Sequence, residues 1–258
     1  MLSLKNKIIL ITGASSGIGK SCAFQFAALG AKLILAARRL ERLKILANDL
    51  KQTYQTESLI LELDVRSKLQ VQKTFQTLPK AWETIDVLVN NAGLALGLEP
   101  LQMGNIEQWD TMIDTNIKGL LYVTRAILPG MLERNSGHII NIGSVAGREY
   151  YPKGNVYSAT KHAVKAINQS LRLDLLGTSV RVSEVAPGAV ETEFSEIRFD
   201  DKERAKQVYT GFIPLTPDDI ADAVIYCATR PLHVNITELT LMPSAQASAN
   251  HIYRKTDL

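Results

Sequence analysis

The sequence predicts a doubly wound α/β fold, in which a parallel sheet of about seven strands carries helices on both faces. Seven short runs rich in isoleucine, valine and leucine alternate with segments of helical length and 3.6-residue periodicity. Parallel neighbours need a crossover connection, and right-handed crossovers place the connecting helices against the sheet. Because no proline-, glycine- or serine-rich linker interrupts this alternation, we expect one domain over residues 1–258.

The predicted strands are short and rich in β-branched residues, as strands buried on both faces are. They cover residues 7–12, 32–37, 58–63, 85–90, 137–142, 179–185 and 238–242. The segments between them carry apolar residues three and four positions apart, which predicts amphipathic helices. These helices cover residues 17–29, 40–53, 68–77, 106–133, 156–175 and 217–229.

Two segments depart from the alternation of strand and helix. Residues 189–214 are longer than a usual strand-to-helix connection and rich in charge, which predicts a lid over a substrate. Residues 244–258 form a polar tail, which we expect on the surface or against another subunit.

The composition is that of an ordinary globular protein, with 46% hydrophobic and 21% charged residues. The formal net charge is only +3, and lysine and arginine are scattered, so we expect no nucleic-acid partner. No apolar run approaches the 18 residues of a membrane span, so we expect no membrane partner either. Cys22 and Cys227 lack disulfide or CxxC spacing and indicate buried thiols in a reducing compartment. We therefore expect a cytoplasmic protein.

Two other kinds of chemistry lack the residues that they need. The four histidines show no metal-ligand spacing, so we expect no metal. A hydrolase triad would need the GxSxG turn, which is missing from the sequence.

A glycine-rich turn links the first predicted strand to the first helix. Glycine lets the backbone turn sharply and approach a pyrophosphate, while the helix N-terminus supplies free amides and a positive dipole. Gly19-Lys20-Ser21 copies the end of a triphosphate-binding loop, but Ala14 stands where that loop needs glycine. A dinucleotide is the expected ligand, and a turn without a ligand is the alternative. The candidate binding residues are Gly13, Ser15, Ser16, Gly17, Ile18 and Gly19.

Three motifs follow one another between residues 12 and 161. They are the TGxxxGxG turn, Asn90-Asn91-Ala92-Gly93, and Tyr157 four residues before Lys161. Together they resemble the short-chain dehydrogenase/reductase family, whose fold is Rossmann-type. The resemblance implies that Asn91 steadies the sheet beside the cofactor and that Asp64 and Val65 lie by the adenine. It also implies a segment along the nicotinamide, formed by Pro187, Gly188, Val190 and Thr192.

The residues after the second strand predict which dinucleotide binds. NAD enzymes place an acidic residue here to bind the ribose hydroxyls, whereas this chain has Arg38 and Arg39. Paired guanidinium groups bind a 2′-phosphate through charge-assisted hydrogen bonds, so the predicted cofactor is NADP. The alternative is that both arginines lie at the surface and pair with Glu41.

Tyr157 and Lys161 are four residues apart on a predicted helix and project from one face. A free tyrosine is a poor base at pH 7, but a nearby ammonium favours the phenolate. Ser144 ends the fifth strand thirteen residues earlier, a spacing that resembles the family's. The resemblance implies that Ser144 holds the substrate oxygen, that Tyr157 exchanges its proton and that Lys161 also binds the nicotinamide ribose. It further implies that Asn116 supports a water-linked proton path.

Residues 91–97, 193–195 and 241–243 read NAGLALG, EFS and LMP. Within the family, these segments most resemble NADP-dependent 3-hydroxy acid dehydrogenases that also oxidise serine and allo-threonine. Such substrates carry a carboxylate, and Arg148 and Arg198 are candidate partners for it by placement. The long helices 106–133 and 156–175 resemble the family's dimer-forming pair, and a homotetramer is expected. Two alternatives remain: a broad-specificity NADPH-dependent carbonyl reductase, and a non-catalytic sensor or scaffold that binds NADPH without turnover.

Overall fold

Seven parallel strands form one sheet at the centre of the computed structural model, which describes residues 2–255. The strands are β1 (Ile8–Thr12), β2 (Lys32–Ala37), β3 (Ser58–Glu62), β4 (Ile85–Asn90), β5 (Gly137–Ile142), β6 (Val180–Pro187) and β7 (Glu238–Leu241). The helices are α1 (Gly17–Ala28), α2 (Leu40–Tyr54), α3 (Lys68–Gln76), α4 (Ile106–Ile113), α5 (Leu120–Glu133), α6 (Asn155–Asp174), α7 (Glu193–Phe199), α8 (Lys202–Gln207) and α9 (Pro217–Ala228). Among these residues, no helix has the length and apolar character that crossing a membrane requires.

The strand order is β3-β2-β1-β4-β5-β6-β7. The chain winds outwards from β1 to β3 and then returns to pair β4 with the other side of β1, where Ile11 lies beside Val89. In open α/β sheets, ligands bind at the carboxyl ends of the strands where the winding direction reverses. The order confirms the predicted doubly wound sheet and points to the crevice between β1 and β4.

Alternate residues of each strand pack against opposite helical layers, as their two-residue period requires. In β1, Ile9 and Ile11 contribute to a core with α1, α2 and α9. Leu10 belongs to a second core, which includes residues of α3 and α5. Cys22 and Cys227 are buried free thiols in the first core, as predicted.

The predicted helix 106–133 is interrupted by a wider turn. Residues Asp114–Gly119 form one π-helical turn between α4 and α5. A Cβ on Gly119 would lie 2.6 Å from the Cγ2 atom of Val65, so this turn approaches the end of β3 more closely than a larger residue would allow. Such insertions are frequent at functional sites.

The lid and the tail are more ordered than the sequence predicts. The segment 189–214 contains the helices α7 and α8, which the sequence analysis does not predict. Two hydrogen bonds join the tail to this segment. The Oε1 atom of buried Gln246 accepts the amide of Ala189 at 2.9 Å. Further along, the amide of Lys255 donates to the carbonyl of Gly211 at 2.7 Å. The tail therefore packs against the lid of its own chain.

Candidate active site

One cavity of about 640 Å³ opens at the carboxyl edge of the sheet, where the winding reverses. This volume is in the range of small-molecule and cofactor sites. The cavity brings together most of the residues that the sequence singled out. They are Gly13, Ser15, Ser16, Gly17, Ile18, Arg38, Arg39, Asp64, Val65, Asn91, Ser144, Tyr157, Lys161, Pro187, Gly188, Val190 and Thr192. Gly19 and Asn116 are not among its lining residues.

The glycine turn is fixed against the end of β4 by hydrogen bonds. The Nδ2 atom of Asn91 donates to the carbonyl of Thr12 at 2.9 Å and to that of Gly13 at 3.2 Å. Gly13 has a positive φ of 65°, and a Cβ on it would lie 2.8 Å from that Nδ2 atom. A Cβ on Gly19 would lie 2.5 Å from the same atom. Gly13 and Gly19 therefore let the turn pack on Asn91.

Arg39 links the glycine turn to the lid. Its Nε atom donates to Ser15 Oγ at 3.1 Å, and its Nη2 atom donates to Ser16 Oγ at 2.6 Å. Its Nη1 atom pairs with Glu193, the first residue of α7, at 2.9 Å. Arg38 is exposed at the edge of the cavity. The surface pairing with Glu41 that we considered is not formed by either arginine, because Glu41 pairs with Lys44 at 2.7 Å.

The end of β3 supplies a paired carboxylate. Asp64 binds Arg66 through two of the guanidinium nitrogens, at 3.0 Å and 2.6 Å. This hydrogen-bonded pairing lowers the pKa of Asp64, so the carboxylate is ionised at neutral pH. Asp64 and Val65 both line the cavity on the β3 side of the glycine turn.

Ser144, Tyr157 and Lys161 meet at the other end of the cavity. Ser144 precedes a short 3₁₀ turn, Val145–Gly147, and its Oγ atom accepts the amide of Ala146 at 3.1 Å. Lys161 is 7% exposed, and its Nζ atom donates to the carbonyl of Ile142 at 2.9 Å. The same Nζ atom lies 6.0 Å from the centre of the Tyr157 ring. The three side chains thus face one cavity from β5 and α6.

The pKa of Tyr157 is raised, whereas the sequence analysis expects a neighbouring ammonium to lower it. Removal from water raises the pKa of Tyr157 and Tyr151 adds to the rise, while Ser144 and Arg198 oppose it. Burial lowers the pKa of Lys161 to about 8, against the opposing charge of Glu184. In the protein alone, burial therefore outweighs the opposing effects of Ser144 and Arg198 on the pKa of Tyr157. A positively charged ligand in the cavity would favour the phenolate.

Asn116 lies in the π turn and holds two elements together. Its Oδ1 atom accepts the amide of Leu94 at 2.9 Å, and its Nδ2 atom donates to the carbonyl of Leu94 at 2.8 Å. The Nδ2 atom also donates to Thr160 Oγ1, on α6, at 3.0 Å. The direct contacts of Asn116 therefore position the helix that carries Lys161. Its role in a proton path stays a prediction.

The two candidate arginines have different surroundings. Arg148 pairs with Glu184 at 2.9 Å and with Glu238 at 3.0 Å, behind the end of β5. It is not among the cavity-lining residues, which argues against Arg148 as the partner of a substrate carboxylate. Arg198 lines the cavity, and its Cζ atom lies 5.7 Å from the centre of the Tyr157 ring.

Several cavity residues were missed because they come from segments without a sequence motif. Tyr151 lies beneath Arg198, with 5.4 Å between its ring centre and the Cζ atom. Phe194, on α7, contacts the Tyr157 ring edge-on at 5.6 Å between centres. Ala249 and Ile252 of the tail also line the cavity, which no local pattern indicates.

A family model described as short chain dehydrogenase matches residues 7–203. The chain belongs to the short-chain dehydrogenase family. This confirms the resemblance that the three sequence motifs carry. Residues 2–255 contain no cluster of three histidine, cysteine or carboxylate side chains that could hold a metal ion.

Individual members of the short-chain dehydrogenase family are similar over nearly the whole chain. NADP-dependent 3-hydroxy acid dehydrogenase YdfG of Salmonella typhi is 51% identical over 244 residues, which cover 94% of this chain and 97% of the relative. The NADP-dependent 3-hydroxy acid dehydrogenase of Schizosaccharomyces pombe is 47% identical and covers 99% of both. A structure described as the closed form of serine dehydrogenase complexed with NADP+ has a TM-score of 0.90 and 48% identity. It covers 96% of this chain and 100% of that one.

The cavity of this short-chain dehydrogenase fits a phosphorylated dinucleotide. Gly17 has a positive φ of 49° and lines the cavity beside Thr192, so a glycine at this position lets the turn take its left-handed backbone conformation. Arg38, which forms no ion pair among the described residues, supplies positive charge on the β2 side of the cavity, and Tyr157 lines it from α6. Glycine, hydroxyl and guanidinium groups are the donors that a phosphate-bearing ligand needs.

Proposed function

We propose that this protein is an NADP(H)-dependent oxidoreductase that interconverts a hydroxyl and a carbonyl group on small 3-hydroxy acids. The proposal rests mainly on the position of Arg198, whose Cζ atom lies 5.7 Å from the Tyr157 ring centre within the cavity. A cation so close to the proposed proton donor selects a substrate with an anion near its reacting oxygen. Family membership and the names of the two relatives support the same reaction and cofactor.

NADP, when bound, would exchange a hydride with the carbon that bears the oxygen. Tyr157 takes the proton of the substrate hydroxyl in oxidation and returns it in reduction. Ser144 holds the same oxygen through its hydroxyl group. Lys161, buried beside Tyr157, contributes the positive charge that favours the phenolate and hydrogen-bonds the nicotinamide ribose. Phe194, packed edge-on against the Tyr157 ring, helps to exclude water.

Arg198 selects the substrate through its guanidinium group. Its Nε atom donates to the carbonyl of Gly97 at 3.0 Å, which fixes the orientation of the group. The two Nη atoms can bind a carboxylate end-on through two parallel hydrogen bonds. In a 3-hydroxy acid, the carboxylate is separated from the reacting carbon by a single carbon, which suits a cation adjacent to Tyr157.

The cofactor end of the site explains the preference for NADP over NAD. Arg38 is exposed at the cavity edge, and Arg39 is oriented there by Ser15 and Ser16. The guanidinium groups bind the 2′-phosphate, while Asp64 and Val65 border the adenine. Gly188 and Val190 line the same cavity, where they would border the nicotinamide.

The proposed function is tested by following NADPH formation at 340 nm with purified protein. The substrates are L-serine, L-allo-threonine, 3-hydroxyisobutyrate and 3-hydroxypropionate, with the methyl ester of 3-hydroxypropionate and simple secondary alcohols as neutral controls. NAD is tested in parallel. Turnover of the acids with NADP supports the proposal, whereas turnover of only the neutral alcohols indicates a broad carbonyl reductase. NADPH binding without turnover of any substrate indicates a sensor.

We also infer a homotetramer in the cytoplasm. Leu121 and Leu132 of α5 and Leu173 of α6 are exposed apolar residues on the two long helices that resemble the family's dimer-forming pair. Burial of such residues between subunits is the usual source of association energy. The unpaired buried thiols of Cys22 and Cys227 fit a reducing compartment. Sedimentation velocity gives the assembly, and a single monomeric species at micromolar concentration would contradict it.

A further inference from the structure

A buried ion pair lies directly behind the proposed catalytic residues. Glu184 of β6 is 0% exposed, and its Oε1 atom binds the Nη1 atom of Arg148 at 2.9 Å. Arg148 also pairs with Glu238 of β7 at 3.0 Å, and Glu238 is partly exposed. Burying two charges is costly, and an apolar pair of similar volume is often as stable. The pair therefore calls for an explanation other than stability.

Glu184 contacts the backbone segment that positions both Ser144 and Lys161. A Cβ on Gly143 would collide with the carboxylate of Glu184, so only glycine lets the segment pass so close. On one side of Gly143, the carbonyl of Ile142 accepts the Nζ atom of Lys161 at 2.9 Å. On the other side, the carbonyl of Ser144 lies 3.4 Å from the Nη1 atom of Arg148.

The carboxylate of Glu184 lies against Gly143, the residue that follows the carbonyl binding the Nζ atom of Lys161. On α6, the titratable neighbours of this lysine are Tyr157, His162 and Lys165. On the adjoining elements, the charged groups are Glu184 on β6 and Arg148 on the turn after β5. Arg198 of α7 lies beyond the Tyr157 ring, 5.7 Å from its centre. Burial lowers the pKa of Lys161 to about 8, and the charge of Glu184 opposes that fall. Loss of this charge would lower the pKa of Lys161 further.

The other elements packed against α6 add no unpaired buried charge among the described residues. The π turn presents the uncharged Asn116 to α6 and pairs its Asp114 with Lys118 at 2.8 Å near the surface. The acidic residues of α4, Glu107 and Asp110, are exposed. Solvent screens such charges more strongly than it screens a buried one.

We propose that Glu184 is a positioning residue that supplies the negative charge keeping Lys161 protonated, and that Arg148 orients this carboxylate and the end of β5. The inference rests on the proposed function, because it assigns Glu184 a part in the chemistry of Tyr157 and Lys161. Arg148 then serves the reaction from behind the sheet rather than by contacting the substrate.

The test compares the two carboxylates that share Arg148. Glu184→Gln removes the charge near Lys161, while Glu238→Gln removes the partly exposed partner and serves as the matched control. The titration of Lys161 is followed in the cofactor-free protein by NMR of lysine labelled with ¹³C at Cε, with the signal assigned through Lys161→Arg. We expect a midpoint near 8 in the wild type and in Glu238→Gln. In Glu184→Gln, we expect it to be about one pH unit lower.

A further variant separates the charge of Glu184 from its effect on folding. Glu184→Asp keeps the charge, and its midpoint is expected to stay at the wild-type value. A midpoint that is the same in Glu184→Gln, Glu184→Asp and the wild type overturns the inference.

Activity provides a second readout that separates this inference from the proposed function. The alkaline limb of the kcat/KM profile for NADP reduction by a 3-hydroxy acid shifts to lower pH in Glu184→Gln and stays in place in Glu238→Gln. If the wild type oxidises no 3-hydroxy acid, the proposed function fails, and the NMR titration still decides the role of Glu184. If activity falls in Glu184→Gln but the limb does not shift, Glu184 is only structural.

Discussion

At the scale of single residues, the proposed reaction depends most on Tyr157. Its ring lies between Lys161, Phe194 and Arg198, and its hydroxyl shares the cavity with Ser144. The spacing of tyrosine, lysine and serine was visible in the sequence because two of the three lie one helical turn apart. The contacts of Arg198 were not, because they join segments about forty residues apart.

Tyr157→Phe removes the proposed proton donor and leaves the ring in place. We expect kcat to fall about 10²- to 10⁴-fold, because acid–base catalysis by one positioned group contributes that much. Binding of NADPH, followed by its fluorescence, is expected to change little. Tyr150→Phe is the control, since this tyrosine is 74% exposed. Full activity in Tyr157→Phe would contradict the assignment.

Arg198→Met removes the proposed carboxylate partner. Charge-assisted hydrogen bonds are worth about 1.5 to 3 kcal/mol, so we expect kcat/KM for 3-hydroxypropionate to fall roughly 10- to 150-fold. Turnover of its neutral methyl ester is expected to fall less, because the ester presents no anion. Arg204→Met is the matched control, since Arg204 packs on Phe199 from α8 and is not a cavity-lining residue. Equal losses for acid and ester would assign Arg198 a structural role.

At the scale of the elements, the glycine turn and its strand were predictable from local sequence. The glycine pattern predicts where β1 ends and α1 begins, because Gly13 stands where the backbone must turn with a positive φ against Asn91. The π turn at Asp114–Gly119 was not predicted, since it fits the same apolar periodicity as an α-helix. The short helices α7 and α8 were missed because their charged residues indicate a loop as strongly as a helix.

Arg38→Ala tests the cofactor preference at the junction of β2 and α2. We expect the Kd for NADP to rise about 10- to 100-fold, while that for NAD changes little, since only NADP carries the 2′-phosphate. Isothermal titration of the two cofactors measures the difference. Arg42→Ala is the control, because Arg42 is not a cavity-lining residue although it pairs with Glu193 at 2.6 Å. A similar loss for NAD and NADP would contradict the role of Arg38.

At the scale of the whole molecule, the parallel sheet could be predicted from the sequence, because strands and helices differ in the spacing of their apolar residues. The pairing of the tail with the lid could not be predicted, since Gln246 and Ala189 are 57 residues apart and neither lies in a periodic segment. The same holds for the pair between Arg148 and Glu184, whose contact depends on the register of β5 and β6. A single domain over residues 1–258 stays a prediction.

NADP is expected to stabilise the folded protein against heat. A ligand at 100 times its Kd adds about 2.7 kcal/mol, which raises Tm by roughly 5 to 10 °C for a chain of this size. NAD at the same concentration is expected to raise Tm less. Differential scanning fluorimetry at one fixed protein concentration measures both, since assembly also affects Tm. An equal rise with NAD would contradict the predicted preference.

The most direct test of the central claim is the transfer of deuterium from substrate to cofactor. Wild-type protein is incubated with NADP and 3-hydroxypropionate that carries two deuterium atoms on C3, and the NADPH formed is analysed by mass spectrometry. We expect one deuterium to move to the cofactor and the aldehyde product to keep the other. NADPH formed without deuterium, or no NADPH at all, would contradict oxidation of a 3-hydroxy acid by hydride transfer.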